Sequence, residues 1–433
     1  MKQIFFIRYF LIFIPYVLFS QNDSTTARFN FHFQQTIITQ YHPKFNAPYS
    51  SINSLQPEEE TQSSLTATMF FGARLWKGAS FYFNPEIAGG SGFSAARGIA
   101  GFSNGETFRI GSPAPAIYLA RAYYKQNFFL SKNYSVTDDG INQVEEKEAD
   151  KQLTFIIGKF SVADFFDGNS FSHDPRTQFM NWSLMSTGAW DYPANTRGYT
   201  TGAIIQYASP KFECRFALTS VPTTANGPVL NYNYLQANAN TIEFQYNYSK
   251  KGNVKLLGFY NNAPMGSYVK ATAHNDTIDI TTERSFGRSK YGASLNIEHN
   301  FTPNVGVFAR ASYNDGNNET WAFTEIDQSA HIGLSLKGAM WKRADDVFGI
   351  AAVINGISPQ HQAYLKKGGY GFIIGDGNLN YANEFISEVY YLFLIKKWFL
   401  SISPGYQFIL NPAYNASRSG PVHVFSLRAH LQF

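Results

Sequence analysis

The sequence has few charges, one cysteine and no long hydrophobic run beyond its N-terminus. Asp, Glu, Lys and Arg make up 15% of the 433 residues, against roughly a quarter in typical soluble domains. A single cysteine, Cys214, excludes an internal disulfide. The formal net charge of only +4 argues against a nucleic-acid partner, which requires clustered Lys and Arg. After residue 20, no window approaches the ~18 apolar residues of a membrane-spanning helix.

Aromatic residues, by contrast, are abundant. Phe, Tyr and Trp make up 17% of the chain, yet the mean hydropathy is −0.24. Many aromatics, few charges and near-neutral hydropathy suit a sheet with one apolar face and one uncharged polar face. A fully buried core would be more apolar, and an ordinary soluble surface would carry more charge.

The N-terminus has the features of a signal peptide. Lys2 and Arg8 supply positive charge, an apolar run surrounds and follows them, and Ser20 offers a small residue for cleavage. The alternative is a membrane anchor, but the run is short for spanning a bilayer. We therefore predict export with cleavage of residues 1–20, which leaves a single domain over residues 21–433.

The dominant pattern in that domain is alternation of apolar and polar residues. Successive side chains of a strand point to opposite faces, so such alternation indicates a strand with one apolar and one polar side. In residues 29–42, the apolar side carries Phe29, Phe31, Phe33, Ile37 and Tyr41. We count about sixteen such segments, most of them about ten residues long, as in a tilted transmembrane strand. They begin near Phe29, Leu65, Gly78, Ile117, Gln152, Tyr199, Phe212, Thr241, Asn253, Lys290, Asn304, Ala330, Asp346, Glu384, Trp398 and Pro421.

The connections between these segments alternate between short and long. Short ones lie at 208–211, 250–252, 300–303 and 340–345, and long ones at 90–116, 161–198, 263–288 and 355–383. Outer-membrane barrels have this rhythm, with short periplasmic turns and long extracellular loops. The connection 130–151 breaks it, because it is long and acidic where a short turn belongs. We interpret it as a solvated excursion, or as a sign that the strand count is wrong there.

The alternation continues to the last residue, Phe433. Phe425, Leu427, Ala429 and Leu431 share a face with it, as in the C-terminal strand that the barrel-insertion machinery reads. This strand must pair with the first one, because lipid cannot satisfy an unpaired sheet edge. The patterns together predict an all-β fold. It is a closed antiparallel transmembrane β-barrel of about sixteen strands in the bacterial outer membrane, in contact with lipid and lipopolysaccharide.

Several stretches of the chain form recognisable motifs. They read GKFSVADFFD at 158–167, HDPRTQFMNW at 173–182 and GAWDYPANTRG at 188–198, with GARLWKG at 72–78 and AGFSNGE at 100–106 upstream. Through these motifs the chain resembles the OprB-type carbohydrate-selective porins over nearly its whole mature length. The resemblance implies a sixteen-stranded barrel through which small sugars diffuse passively. Monomer and trimer both remain open.

The loop 161–198 is the best candidate for a constriction. It carries so many large aromatic side chains that exposing it to water would be costly, so we expect it to fold into the lumen. The alternative is that its charged residues only attach the loop to the barrel wall. Its candidate pathway residues are Asp164, Asp167, Asp174, Arg176, Trp182, Trp190, Asp191 and Arg197.

Strand alternation adds charged candidates on the barrel wall. A charge that faces lipid costs several kcal/mol near the bilayer midplane, so charged residues within strands should point inward. The residues selected in this way are Arg121, Lys159, Arg310, Lys337 and Glu388.

No motif points to catalysis. His173 and Asp174 are adjacent, but no second histidine stands at ligand spacing, so we predict no catalytic, cofactor-binding or metal site. Two alternatives to a sugar porin stay open. One is a barrel that passes other small solutes or mainly anchors structure, and the other is a secreted β-protein that binds polysaccharide.

Overall fold

Sixteen antiparallel strands form one closed barrel, in which each strand pairs with its neighbours along the chain. The computed structural model describes residues 27–107, 114–274 and 278–433, so the predicted signal peptide lies outside the described residues. The barrel strands, numbered in chain order, are β1 (Phe29–His42), β2 (Glu60–Trp76), β3 (Ala79–Gly90), β4 (Ala116–Phe129), β5 (Gln152–Phe160), β6 (Thr200–Ala208), β7 (Phe212–Thr219), β8 (Asn238–Ser249), β9 (Gly252–Ala263), β10 (Arg288–Thr302), β11 (Val305–Asn314), β12 (Gln328–Lys337), β13 (Val347–Gly356), β14 (Glu384–Ile395), β15 (Leu400–Leu410) and β16 (Val422–Gln432).

These strands confirm the prediction from alternation. The largest difference in a starting position is at β2, which begins at Glu60 rather than Leu65. The even number of strands is that of single-chain bacterial barrels.

The remaining elements are short. Within the described part of the chain they are three helices, two small hairpins and seven 3-10 turns. The helices are α1 (Trp182–Met185), α2 (Tyr268–Ala273) and α3 (Pro359–Lys366), and the hairpins pair Tyr134–Thr137 with Glu146–Ala149 and Val221–Pro222 with Leu230–Asn231. The 3-10 turns are Phe93–Ala95, Val162–Asp164, Ile280–Glu283, Gly338–Trp341, Lys396–Trp398, Pro412–Tyr414 and Ala416–Arg418. No helix in the described residues combines the length and apolarity needed to cross a membrane.

The strands carry apolar side chains on the outer face of the barrel and polar side chains on the inner face, as predicted. In β1, Phe29 is 69% exposed, whereas Gln40 and His42 are buried. In β16, Leu427 is 55% exposed, and its neighbour Arg428 is fully buried. An outer band of exposed apolar side chains around a polar interior is the arrangement of a barrel that sits in lipid.

The barrel closes by pairing β1 with β16, again as predicted. Thr36 faces His430 in the register of this pair, and their side chains are hydrogen-bonded at 2.8 Å. The terminal residue extends the ladder, because the N–H of Phe33 donates to the carbonyl of Phe433 at 2.9 Å and the reverse bond measures 3.1 Å. No edge of the main sheet is therefore left open within the described residues.

The two ends of the barrel differ in the length of their connections. At the turn end lie the chain's C-terminus and the short connections, such as 209–211 and 303–304. At the loop end lie L2 (91–115), L3 (161–199) and L6 (315–327). The connection 130–151 lies at the turn end and contains the first of the small hairpins, so the strand count is correct there. We call the whole connection 130–151 the turn-end hairpin.

Candidate functional site

L3 folds into the lumen and is attached to the inner wall of the barrel. The carboxylate of Glu388 on β14 accepts hydrogen bonds from the N–H groups of Met180 and Asn181, at 2.7 and 2.8 Å. Arg310 on β11 donates to the carboxylate of Asp167 at 2.9 Å. Phe166, Phe179 and Met180 are fully buried, which confirms that L3 crosses the interior rather than the surface.

Arg310 also holds the backbone of L3. Its guanidinium donates to the carbonyl oxygens of Asp167 at 3.0 Å and Ser172 at 2.7 Å. A planar guanidinium with five donors can satisfy several acceptors at once. The result is a loop fixed by charge-assisted hydrogen bonds, which are stronger than neutral ones.

Asp191 attaches L3 to L6. Its carboxylate accepts three backbone hydrogen bonds of L6, from Trp321, Ala322 and Phe323, at 2.8 to 2.9 Å. The side chain is fully buried. Burial raises the pKa of the Asp191 carboxyl, against the lowering effect of nearby Lys290 and of these backbone bonds.

A cavity of about 470 Å³ remains between L3 and the barrel wall, where β1, β2, β4 and β16 contribute to its lining. Near the loop end it is lined by Arg197, Tyr199 and Phe323, and towards the turn end by Gln34 and Gln432. It therefore follows the barrel axis past L3. The lining also includes Glu106, Arg121, Ile141, Asn142, Asp164, Asp167, His173, Asp174, Arg176, Trp182, Trp190 and Tyr192.

Several charged side chains of the cavity form ion pairs. Arg121 on β4 forms an ion pair with Asp164 of L3 at 2.6 Å. Arg176 of L3 reaches Glu86 on β3 at 3.2 Å and Glu106 of L2 at 2.9 Å. These ion pairs mean that neither arginine is an isolated buried charge, which would be costly.

The carboxyl of Asp174 shows how neighbouring groups act on an acidic side chain of the cavity. Burial is the largest influence and by itself would raise the pKa of Asp174, but the nearby Arg176, His430 and hydrogen-bond donors together outweigh it, so the pKa is lowered. Hydrogen bonds from the N–H of Arg176 at 3.0 Å and the hydroxyl of Thr177 at 2.8 Å act in the same direction. Asp174 is therefore an anion in the cavity at neutral pH.

Aromatic rings form another part of the lining. Trp182 of α1 stacks with Phe323 at a centroid distance of 4.5 Å and with Tyr192 at 5.5 Å. Its ring also stacks with Phe102 of L2 at 5.0 Å. L2, L3 and L6 therefore meet in one aromatic cluster, which gives the cavity a rigid apolar surface.

Six buried polar atoms of the lining have no hydrogen-bond partner within the described residues. One is an acceptor, the amide Oδ1 of Asn142. The others are a ring nitrogen of His173 and four N–H groups. These are Arg121 Nη1, Arg197 Nη1, Trp182 Nε1, Trp190 Nε1 and His173 Nδ1. Buried polar groups in native proteins are nearly always hydrogen-bonded, so these atoms require partners in the cavity itself.

Most, but not all, of the predicted pathway residues line the cavity. Eight of them line the cavity, namely Arg121, Asp164, Asp167, Asp174, Arg176, Trp182, Trp190 and Arg197. Arg310 and Glu388 point inward as predicted, but they are buried against L3 and do not line the cavity. Asp191 joins two loops instead, and Lys337 lies in a separate recess at the turn end.

The predicted inward orientation of Lys159 is wrong. Lys159 pairs with Ala122 and Thr201, and it has the strand parity of Phe155 and Ile157, which are exposed on the outside. It lies next to the last residue of β5, at the loop end. The cost of an outward charge falls steeply near the bilayer interface, and a lysine stem can extend its ammonium into water.

Some cavity residues escaped the sequence-based prediction. Glu106 of L2 and Phe323 of L6 line the cavity. Glu106 ends the AGFSNGE motif, but that motif does not by itself indicate contact with the cavity. Ile141 and Asn142 belong to the acidic connection, which we had expected to be solvated. Among these residues, only the ones in that connection could have been noticed from the sequence, because a long connection stands there where the alternation of short and long connections requires a short one.

Known proteins share this architecture. A family model described as "Carbohydrate-selective porin, OprB family" matches residues 53–433. The solved structure of OprB from Pseudomonas putida at high pH is 16% identical, with a TM-score of 0.67 over 94% of both chains. The outer-membrane channel DcaP of Acinetobacter baumannii is 9% identical, with a TM-score of 0.52 over 94% of this chain and 97% of its own. A comparison with curated protein sequences finds no significant match.

The family model spans the barrel from the loop after β1 to Phe433. It covers the lumen walls, L2, L3 and L6, and the structural matches show the same fold. The turn end is therefore the periplasmic end of an outer-membrane barrel, and the loop end is extracellular. The chain belongs to the OprB family of carbohydrate-selective porins.

Proposed function

We propose that the cavity is the pathway along which small neutral sugars diffuse across the outer membrane. The observation that carries the proposal is the set of six unpartnered polar atoms beside an aromatic cluster in one cavity. A sugar hydroxyl can both accept and donate a hydrogen bond, so sugars can satisfy the donors and the single acceptor. Their C–H faces can contact the aromatic rings at little desolvation cost.

The balance of charge favours neutral solutes over anions. Arg121, Arg176 and Arg197 line the cavity, but so do Asp164, Asp174 and Glu106. Because carboxyl groups lie beside the arginines in the lining, an anionic solute meets repulsion as well as attraction. Passage also requires that binding be weak enough for release, and single hydrogen bonds to separate side chains meet that condition.

Liposome swelling tests the proposal directly. Liposomes that contain the barrel should swell faster than empty ones in isotonic glucose and sucrose, and gluconate of similar size should enter more slowly than glucose. Equal rates for glucose, sucrose and empty liposomes would refute the proposal. Faster entry of gluconate would favour the alternative, a barrel for other small solutes.

Trp182→Ala tests the aromatic cluster. Removing the indole takes away the ring that stacks with Phe102, Tyr192 and Phe323, so we expect sugars to block the single-channel current less strongly, by roughly tenfold in concentration for a loss of ~1.4 kcal/mol. The matched control is Trp398→Ala, because Trp398 lies at the turn end and is 61% exposed. Unchanged sugar block in Trp182→Ala would exclude the cluster from the pathway.

A further inference from the structure

The turn-end hairpin does not extend into the periplasm but folds into the barrel mouth. At its base, Lys125 on the inner face of β4 forms ion pairs with Glu146 at 3.5 Å and Glu148 at 3.1 Å. Asn127, two residues further along the same strand, donates to both carboxylates at 3.3 Å. The acidic residues that suggested a solvated segment therefore attach it to the wall of the barrel.

The far end of the hairpin is attached to β1. The side-chain amide of Asn30 donates to the carboxylate of Asp139 at 2.9 Å and to the carbonyl of Gln143 at 2.8 Å. His32 lies 3.2 Å from the other oxygen of Asp139. Between base and tip, Val144 is buried and its N–H approaches the hydroxyl of Tyr82 at 3.4 Å. The hairpin thus spans the inner wall from β4 to β1.

The tip of the hairpin reaches the cavity below L3. Ile141 and Asn142 line the same cavity as Asp164 and Arg176 of L3. Asn142 adopts the left-handed conformation, with φ of 51°, and its buried amide Oδ1 has no partner in the described residues. Asparagine is one of the few residues that tolerates this backbone conformation.

We propose that this tip is a second, periplasmic constriction of the pore, in which Asn142 accepts a hydrogen bond from hydroxyl-bearing solutes. L3 narrows the lumen from the extracellular side, and the hairpin narrows it from the opposite side. A solute must therefore pass two successive restrictions. The role of Asn142 rests on the proposed sugar pathway, whereas the narrowing itself concerns any solute or ion.

The first experiment removes the hairpin. Replacing residues 133–149 with Asn-Gly, a favoured two-residue hairpin turn, retains the backbone bond between Leu130 and Lys151. We expect the single-channel conductance in KCl to rise roughly twofold, because a series constriction has been removed, and larger oligosaccharides to enter liposomes. Heat-modifiable gel migration reports whether the barrel is folded. An unchanged conductance in a folded barrel would overturn the proposal.

Point variants test the same idea without a deletion. Ile141→Trp should lower the conductance and Ile141→Ala should raise it. Asn142→Gly keeps the left-handed backbone and should weaken sugar block from the periplasmic side. Its matched control, Asn411→Gly, makes the same change at φ of 50° in an extracellular loop and should have no effect. If all four variants have the same conductance and the same sugar block, the proposed constriction is refuted.

The two proposals fail in distinguishable ways. The KCl conductance depends on the hairpin and not on sugars. If the wild-type barrel excludes sugars but the shortened barrel conducts more current, the proposed function fails and the constriction stands. If sugars enter the wild type and conductance is insensitive to the hairpin, the constriction alone fails.

Discussion

At the scale of single residues, the lumen contains charges in compensated groups. Arg176 forms ion pairs with both Glu86 and Glu106, and one of these carboxylates, Glu86, is fully buried. Glu86 also accepts hydrogen bonds from the hydroxyls of Tyr118 and Tyr199. The local charge of the cavity therefore depends on a few side chains rather than on the small net charge of the chain.

Arg176→Gln should make the pore more cation-selective. The substitution removes the cation from a group with two carboxylates, so the local field in the cavity becomes negative. Reversal potentials measured in a KCl gradient at mildly alkaline pH should shift towards the equilibrium potential of K⁺. Arg343→Gln changes the net charge equally at a periplasmic turn, where the arginine is half-exposed, and should shift the potential little. Equal shifts in the two variants would contradict a special role for Arg176.

At the scale of elements, L3 is held by contacts between parts of the chain that are far apart in sequence. Arg310 pairs with Asp167 across the lumen, and both side chains are almost completely buried. The sequence suggested pore lining for Arg310 and left wall attachment of Asp167 as an alternative. The structure shows attachment for Arg310, while Asp167 both pairs with it and borders the cavity.

Arg310→Ala should loosen L3. The substitution leaves Asp167 without its ion pair, which typically costs about 3–5 kcal/mol for a buried pair. We expect a lower temperature for the heat-modifiable transition and noisier open-channel current, because the loop can then move. Lys337→Ala, which removes an exposed lysine at the turn end of β12, should leave both properties unchanged. A variant of Arg310 that melts and conducts like the wild type would contradict this assignment.

The sequence predicted features that follow a local pattern, but not contacts between segments that are far apart in the chain. Alternation predicted every barrel strand, because lipid outside and water inside impose a local rule on successive residues. It failed for Lys159, because the rule weakens at the membrane interface. The partners of Glu388 and Asp191 are backbone N–H groups of distant loops, and no local pattern encodes such contacts. The turn-end hairpin was noticed for its length, but its inward path depends on Asn30 and Lys125.

At the scale of the whole molecule, the barrel depends on closure between its two terminal strands. Phe433 contributes two backbone hydrogen bonds to Phe33, and the two rings lie 5.5 Å apart. The outward position of this aromatic at the end of the last strand also fits the predicted recognition by the insertion machinery.

Deleting Phe433 should reduce the assembled fraction in cells. The shortened chain loses two ladder bonds at the seam between β1 and β16 and the predicted recognition residue. The proportion of heat-modifiable protein in the outer-membrane fraction measures the effect. Phe425→Ala removes an exposed outward aromatic from the same strand and should assemble more fully than the deletion. Full assembly of the deletion variant would remove Phe433 from any role in closure or recognition.

The anchors of L3 have a consequence for the timing of assembly. The loop is synthesised early, but Glu388 belongs to β14, and Arg428, which donates to the carbonyls of Pro175 and Gln178 at 2.7 and 2.6 Å, belongs to β16. A nascent chain that has not yet delivered its final strands lacks these two anchors, although Arg310 on β11 can already hold the part of L3 around Asp167. The filter of the pore is thus completed last, and a chain that stalls before its C-terminus would yield neither a sealed wall nor a selective passage.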